Sequence, residues 1–215
     1  MTPTETTMQR PTPVADLPLY DDARAWTGRD MAAREDWKLS LDADDVAEVD
    51  RAVEAAIARG ADLVTMTADD FPLPRLAPRL REVRRAVLHG RGFALIRGWP
   101  STERSLQQCA FAFRGIGAHL GEAISQNGKG HVLGHVANLG LDYADPTTRG
   151  YQTRAELAYH VDAGDIVGLL CIRPSRSGGQ SKGASSTTVW NEVVRRRPDL
   201  ARALTQPYPF SRWGE

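Results

Sequence analysis

The sequence predicts an α+β fold, with helices packed on one side of an antiparallel sheet, and three observations carry that prediction. Between residues 40 and 121, apolar residues recur at helical spacing in three separate segments. Past Gly121 the texture changes to short, glycine-punctuated segments of β-type residues. Within that second half, residues 165–173 hold a near-continuous apolar run, the pattern of a strand buried on both faces.

Residues 1–20 are expected to be a disordered tail. Pro11, Pro13 and Pro18 interrupt any periodicity there, and few apolar groups offset the entropy of ordering. Residues 21–215 are expected to form one domain, with Trp26 and Trp37 as anchors ahead of its first helix. Ser40 or Asp42 can cap that helix, Val46, Val49, Val53 and Ile57 form its apolar stripe, and Gly60 ends it. Asp42, Asp44 and Asp45 fall in its first turn, where negative charge suits the helix dipole.

Residues 69–74 spell a turn into a second helix over residues 78–88, with Leu80, Val83 and Val87 inward and Arg79, Arg81, Arg84 and Arg85 on a solvated face. Residues 93–96 have the length and residue types of a short buried strand. A third helix, capped by Ser101 or Thr102, carries Leu106, Cys109, Phe113, Ile116 and Leu120 as its stripe and stops at Gly121. Residues 138–149 read as a surface loop around the Asp145-Pro146 turn. The apolar run of 165–173, a tight turn over 174–179 and a returning strand over 181–186 make a hairpin. Thr188 caps a fourth helix with Val189, Val193 and Val194 inward. Arg195, Arg196 and Arg197 sit at its carbonyl end, Pro198 stops it, and a short helical turn over 199–204 follows.

Composition excludes several function classes. With 27 basic and 27 acidic residues the formal charge is zero, which leaves no electrostatic basis for binding nucleic acid or an anionic membrane. The longest apolar run, residues 166–172, is far short of the roughly 20 residues that span a bilayer. The first residues lack the apolar core of a signal peptide, so a soluble, cytoplasmic protein is expected. The two cysteines, Cys109 and Cys171, belong to no C-x-x-C motif and are expected to be buried thiols.

The chemistry is expected at His160-Val161-Asp162. In an extended strand, residues two apart share a face and lie roughly 7 Å apart along the chain, so an imidazole and a carboxylate there can converge on one ion. On a helix the same spacing points them apart. A histidine and a carboxylate are two thirds of the facial triad that binds non-haem Fe(II) and leaves positions open for oxygen chemistry. Alone, so short a pattern is more often a surface hydrogen bond than a metal site. His131 and His135 are a second candidate pair at helical spacing. Gly128, Gly130 and Gly134 argue against a helix there, and in a strand the two rings would stand about 13 Å apart, too far to share an ion.

Longer stretches carry a family resemblance. Residues 151–162 (YQTRAELAYHVD), residues 165–174 (DIVGLLCIRP), Ser177-Gly178-Gly179, Ser185-Ser186 and Arg197-Pro198-Asp199-Leu200 closely resemble the taurine catabolism dioxygenase (TauD/TfdA-like) family. Asp70-Phe71-Pro72-Leu73-Pro74 and Gly90-Arg91-Gly92-Phe93 fit the same family's N-terminal region, so the likeness runs from about residue 40 onward. It implies a double-stranded β-helix, or jelly roll, of the clavaminate synthase-like type with supporting helices. It also implies oxygenation of a small molecule that depends on Fe(II), with 2-oxoglutarate and O2 as co-substrates.

Carried over position by position, His160 and Asp162 match the first two iron ligands. Ser181 matches a hydroxyl residue that contacts the 2-oxoglutarate carboxylate, and Asn127, Glu156 and Tyr159 are pocket candidates by position. The family's third iron ligand and its 2-oxoglutarate-binding arginine fall beyond Glu215. His89, His119, His131 and His135 lie upstream of the motif and match neither. The chain is therefore expected to be the N-terminal portion of a jelly roll. The alternative is a non-catalytic remnant or binding protein that keeps part of the fold. Substrate identity and oligomeric state are open.

Overall fold

Helix α2 (Ala43–Ala58) is the spine of the larger of two units in the computed structural model, which describes residues 17–127, 129–144, 148, 150–162 and 164–209. The larger unit is Arg34–Gly183; the smaller joins the described residues of Met1–Ala33 to those of Ala184–Glu215.

The start of α2 is fixed by a reciprocal cap. Asp42 Oδ1 accepts the Asp45 N–H at 2.9 Å, while Asp45 Oδ2 accepts the Asp42 N–H at 3.1 Å. From there Val49 and Val53 face inward and are fully buried, with Val46 and Ile57 packed at the edge of the same cluster. Helix α3 (Ala77–His89) contributes Leu80, and helix α4 (Leu106–Ala118) contributes Cys109, Phe111 and Ala112 and packs on α2.

Residues 69–74, expected as a turn into the second helix, also supply the centre of the core, since Phe71 and Leu73 are fully buried and so is Leu76 just beyond. The Phe71 ring rests on Gly115 of α4, where a Cβ would come within 2.4 Å of the ring. Burying a phenylalanine of this kind contributes about 1.5–3 kcal/mol, and only a residue without a side chain leaves the room.

Polar groups pin the same helices. Glu48 of α2 accepts the backbone N–H groups of Arg75 and Leu76, each at 2.9 Å, and so caps α3, which has no side-chain cap of its own. The buried Asp45 carboxylate accepts from Arg75 Nε at 3.0 Å and from the Arg79 guanidinium, which also donates to the Ser40 carbonyl at 2.7 Å. Arg79 is thus tied into α2 rather than standing on a solvated face. Helix α4 is capped by Ser105, reciprocally with Gln108. Residues Ser101–Glu103, where the cap was expected, form a separate 3₁₀ turn, and Leu106 is exposed.

Among the described residues the sheet is two-stranded. Strand β1 (Lys38–Ser40) pairs parallel with β2 (Leu95–Arg97), Lys38 opposite Leu95 and Ser40 opposite Arg97. The expected strand at residues 93–96 is therefore present, shifted slightly, but Leu95 and Arg97 are exposed where a buried strand was expected, and its partnership is parallel instead of antiparallel. The reason is connectivity, since α2 and α3 intervene and a helical crossover returns the chain in the same direction. At Gly98, φ is +106° and a Cβ would lie 2.8 Å from the Leu41 carbonyl oxygen, so glycine is required where β2 leaves the sheet. The hairpin expected over 165–173 and 181–186 is not formed, because neither run finds a ladder partner among the described residues.

In the smaller unit, residues 18–26 are fastened to helix α5 (Ser186–Arg196). The Asn191 amide pairs with the Tyr20 backbone, accepting from its N–H at 2.9 Å and donating to its carbonyl at 2.6 Å. Trp190 Nε1 donates to the Pro18 carbonyl at 2.7 Å and Thr188 Oγ1 to the Trp26 carbonyl at 2.8 Å. Ser185 rather than Thr188 caps α5, accepting the Thr188 N–H at 2.9 Å. Helix α1 (Gly28–Ala32) precedes this unit's gap in sequence, and α6 (Pro198–Leu204) packs on α5. Of the tail expected over residues 1–20, positions 1–16 lie outside the described residues, whereas 17–20 hold the contacts just given and Leu17 is buried. Gly128 and the Asp145-Pro146 turn also lie outside the described residues. No described helix is long and apolar enough to cross a membrane.

Candidate functional site

The stretch that carries His160 and Asp162 is held on its N-terminal side by residues 137–139 and on its C-terminal side by α4 and the turn before it. On its N-terminal side, the N–H groups of Ala137 and Leu139 donate to the Tyr151 and Gln152 carbonyls at 3.2 and 2.8 Å. Gly150 lies directly under Leu157, whose side chain a Cβ at Gly150 would meet at 2.3 Å. On the C-terminal side, the run over 165–171 lies along α4. Gly168 faces the Phe113 ring, which a Cβ there would approach to 3.2 Å, and Ser101 Oγ donates to the Cys171 carbonyl at 2.8 Å. The apolar run expected as a doubly buried strand is thus attached to a helix on one side and exposed on the other, with Val167 and Leu169 open to solvent.

Between these anchors, His160 and Asp162 are both exposed, and the segment has no regular strand. One contact sets the chemistry of the ring. His160 Nδ1 lies 2.8 Å from the Ala158 carbonyl oxygen, which can only accept, so Nδ1 carries the proton. In the neutral ring Nε2 then keeps its lone pair, the state a metal ligand needs. Asp162, two residues on, supplies a hard carboxylate, and the two together are donor classes suited to Fe(II). Sequence spacing identifies the pair, but nothing in the spacing reveals the carbonyl that sets the tautomer.

His131 has the opposite state. Asn127 Oδ1 accepts the N–H groups of Lys129 and His131 at 3.0 and 3.4 Å, leaving Asn127 Nδ2 to donate to His131 Nδ1 at 3.0 Å. The lone pair of His131 is therefore already in use, which agrees with rejecting it as half of a metal pair. It also means that Asn127 closes its own turn.

Glu156 is joined to the far side of the turn over 174–179 by an ion pair with Lys182, at 2.8 Å, with both groups largely exposed. That brings the segment before His160 beside the residue that follows Ser181. Tyr159 and Ser181 are exposed. Lys182 was not anticipated from the sequence, and its only local signal is its position next to Ser181. Among the described residues no three His, Cys, Asp or Glu side chains converge as a metal-binding group.

The cysteines differ from expectation in one respect. Cys109 is a buried free thiol, pushed above its ordinary pKa by burial, with the nearby Arg104 opposing that shift. Cys171 is a free thiol too, but exposed, because the run that carries it is covered on one side alone. Elsewhere, a groove of about 340 Å³ lies between β1 and α3, lined by Trp37, Leu39 and Val83 among others. Its charged rim is already paired, Lys38 with Glu35, Arg79 with Asp45 and Arg91 with Asp36.

Comparison with known proteins gives concordant matches. The family model described as taurine catabolism dioxygenase TauD, TfdA family matches residues 58–215. The chain is 29% identical over 176 residues to the FR-33289 synthase of Streptomyces rubellomurinus, covering 81% of this chain and 52% of that protein. It is 28% identical over 195 residues to the taurine hydroxylase-like protein SAT17 of Stachybotrys chartarum, covering 87% and 51% respectively. The chain thus spans about half the length of the curated relatives it matches.

Proposed function

The chain belongs to the taurine catabolism dioxygenase TauD/TfdA family, and from that premise we propose that it forms part of an Fe(II)- and 2-oxoglutarate-dependent oxygenase acting on a C–H bond of a small molecule. Members of such a family are typically oxygenases, and the fold that goes with membership is the jelly roll, for which α2, α3 and α4 would be the supporting helices. The observation that most supports the reading is the 2.8 Å contact from His160 Nδ1 to the Ala158 carbonyl, which presents Nε2 as a ligand two residues ahead of a carboxylate.

In this proposal His160 Nε2 and Asp162 hold the iron on one side. When bound, Fe(II) with 2-oxoglutarate and O2 supplies the oxidising power for C–H cleavage, with the co-substrate leaving as succinate and CO2. Ala158 keeps the imidazole in one tautomer and one orientation, so the ring does not have to reorganise when the metal arrives. Ser181 donates its hydroxyl proton to a carboxylate of 2-oxoglutarate. Tyr159 and Glu156, the latter held by Lys182, face the substrate, and Asn127, whose amide closes its own turn, shapes the pocket by its position.

An anaerobic Fe(II) titration tests the reading, followed by an assay for succinate released from 2-oxoglutarate. His160→Ala and Asp162→Ala are each expected to weaken Fe(II) binding by more than about 100-fold, beyond what loss of an outer-shell partner costs. Succinate release that is unchanged by His160→Ala would overturn the proposal. One observation favours a second reading, a non-catalytic binding protein: no third donor is grouped with His160 and Asp162 among the described residues. That reading expects neither iron nor 2-oxoglutarate to bind.

A further inference from the structure

We propose that Cys109 and Cys171 form an intramolecular oxidation site, closed by peroxide and reopened by thiols, that fastens the run behind the His160-x-Asp162 motif to helix α4. Ser101 touches both residues, the thiol of Cys109 and the backbone of Cys171. Its carbonyl oxygen accepts the Cys109 thiol at 3.5 Å, and its hydroxyl donates to the Cys171 carbonyl at 2.8 Å. A second contact sets the direction of the run. Gly168 rests on Phe113, which stands one turn beyond Cys109 on the same face of α4, so residues 168–171 travel back along the face that holds the buried thiol.

The two cysteines have complementary accessibility. Cys171 is exposed and meets an oxidant first, whereas Cys109 is 1% exposed and is reached from within. A disulfide requires its two Cα atoms to come within about 4.4–6.8 Å. The run that carries Cys171 has no ladder partner among the described residues, so a closing movement of that run breaks no sheet hydrogen bonds there.

The chemistry balances with hydrogen peroxide as the oxidant. The Cys171 thiolate attacks one peroxide oxygen, an S–O bond forms, the O–O bond breaks, and one water leaves once protonated. The Cys109 sulfur then attacks the Cys171 sulfur, the S–S bond forms, the S–O bond breaks, and a second water leaves. Two thiols lose two electrons and two protons, and one peroxide becomes two waters. This does not depend on iron binding, so it stands or falls apart from the proposed oxygenase activity.

The test treats the folded chain with hydrogen peroxide, blocks residual thiols by alkylation, and reads intact mass and a non-reducing peptide map. The expected result is a monomer lighter by two hydrogen atoms, with the Cys109 peptide linked to the Cys171 peptide and released by dithiothreitol. Closure should be about tenfold or more faster than in the urea-unfolded chain, because folding replaces a long loop search with a shared contact at Ser101. Cys171→Ser, at an exposed position that leaves the core untouched, should abolish the mass loss and leave Cys109 open to alkylation after unfolding. Three results would overturn the proposal: Cys171 carried to sulfinic acid beside a reduced Cys109, cross-linking between molecules only, or equal closure rates in folded and unfolded chain.

Discussion

The helical body of the larger unit and the stretch over residues 121–183 treat their apolar groups in opposite ways. In the body, Val49, Val53, Phe71, Leu73, Leu76 and Leu80 are all but sealed from solvent. In the stretch, Val136 is 69% exposed, Tyr159 70%, Leu169 75% and Val161 88%. Polar groups follow the same division. The body's buried carboxylates Asp45 and Glu48 are each satisfied by partners on another element, whereas the contacts of Asn127 and His160 are largely to their own neighbours. The stability of this unit therefore resides in α2, α3, α4 and the Phe71 segment, and the motif is carried on a stretch that contributes little to it.

The comparison can be broken most decisively at Phe71. Phe71→Ala should cost about 3–5 kcal/mol, since it leaves a void in the core against Gly115. Urea unfolding followed by circular dichroism measures this, and a loss below about 1 kcal/mol would mean that the core lies elsewhere.

Next in size is the acid response of the body. The Asp45 N–H, and then the Arg75 guanidinium, hold the Asp42 carboxyl below its ordinary value of 3.8. For Asp45, burial raises the pKa, but the Asp42 N–H together with Arg79 and Arg75 outweighs it and leaves the carboxyl lowered too. A folded-state pKa below the unfolded one means that the stabilisation is fully present above the unfolded value and is lost as pH falls through the folded value. Helix content should therefore become easier to unfold as pH drops below about 4, and Asp45→Asn should both flatten that dependence and cost about 1–3 kcal/mol at neutral pH. A urea midpoint that is constant down to about pH 2 would contradict the assignment.

The smallest effect sharpens the contrast from the other side. Val161→Ala, between the two motif residues, should shift the unfolding free energy by less than about 0.5 kcal/mol, because almost none of that side chain is buried. A loss comparable to that at Phe71 would show the motif stretch to be part of the core.

What could be read from the sequence follows the range of the interactions. Local signals succeeded. Asp42 as a cap, the Val49 and Val53 spacing and the proline at the start of α3 placed two helices to within a few residues. Where two local signals competed, the reciprocal one decided, since Ser105 with Gln108 caps α4 in preference to Ser101 or Thr102. Nonlocal features were invisible. The partnership of β1 with β2 spans α2 and α3, and the burial of Phe71 depends on a missing side chain at Gly115 of another helix. The apolar composition of residues 165–173 described a strand, but composition does not supply a hydrogen-bonding neighbour, and here the run meets α4 at Phe113 and the turn before it at Ser101. At the candidate site, H-x-D spacing singled out His160 and Asp162, whereas the tautomer-setting carbonyl of Ala158 depends on how the backbone turns between Ala158 and His160.

Glu48 spans the gap between two helices with a single carboxylate, one oxygen on the Arg75 N–H and the other on the Leu76 N–H. Both bonds are 2.9 Å, and both acceptors sit on one side chain, so they are satisfied together or not at all. Sliding α2 along its axis by one residue, about 1.5 Å, would carry both oxygens out of reach and turn a neighbouring side chain toward the start of α3. Glu48 thus acts as a key that admits one register, and any repacking of the apolar contacts between these helices has to keep that alignment.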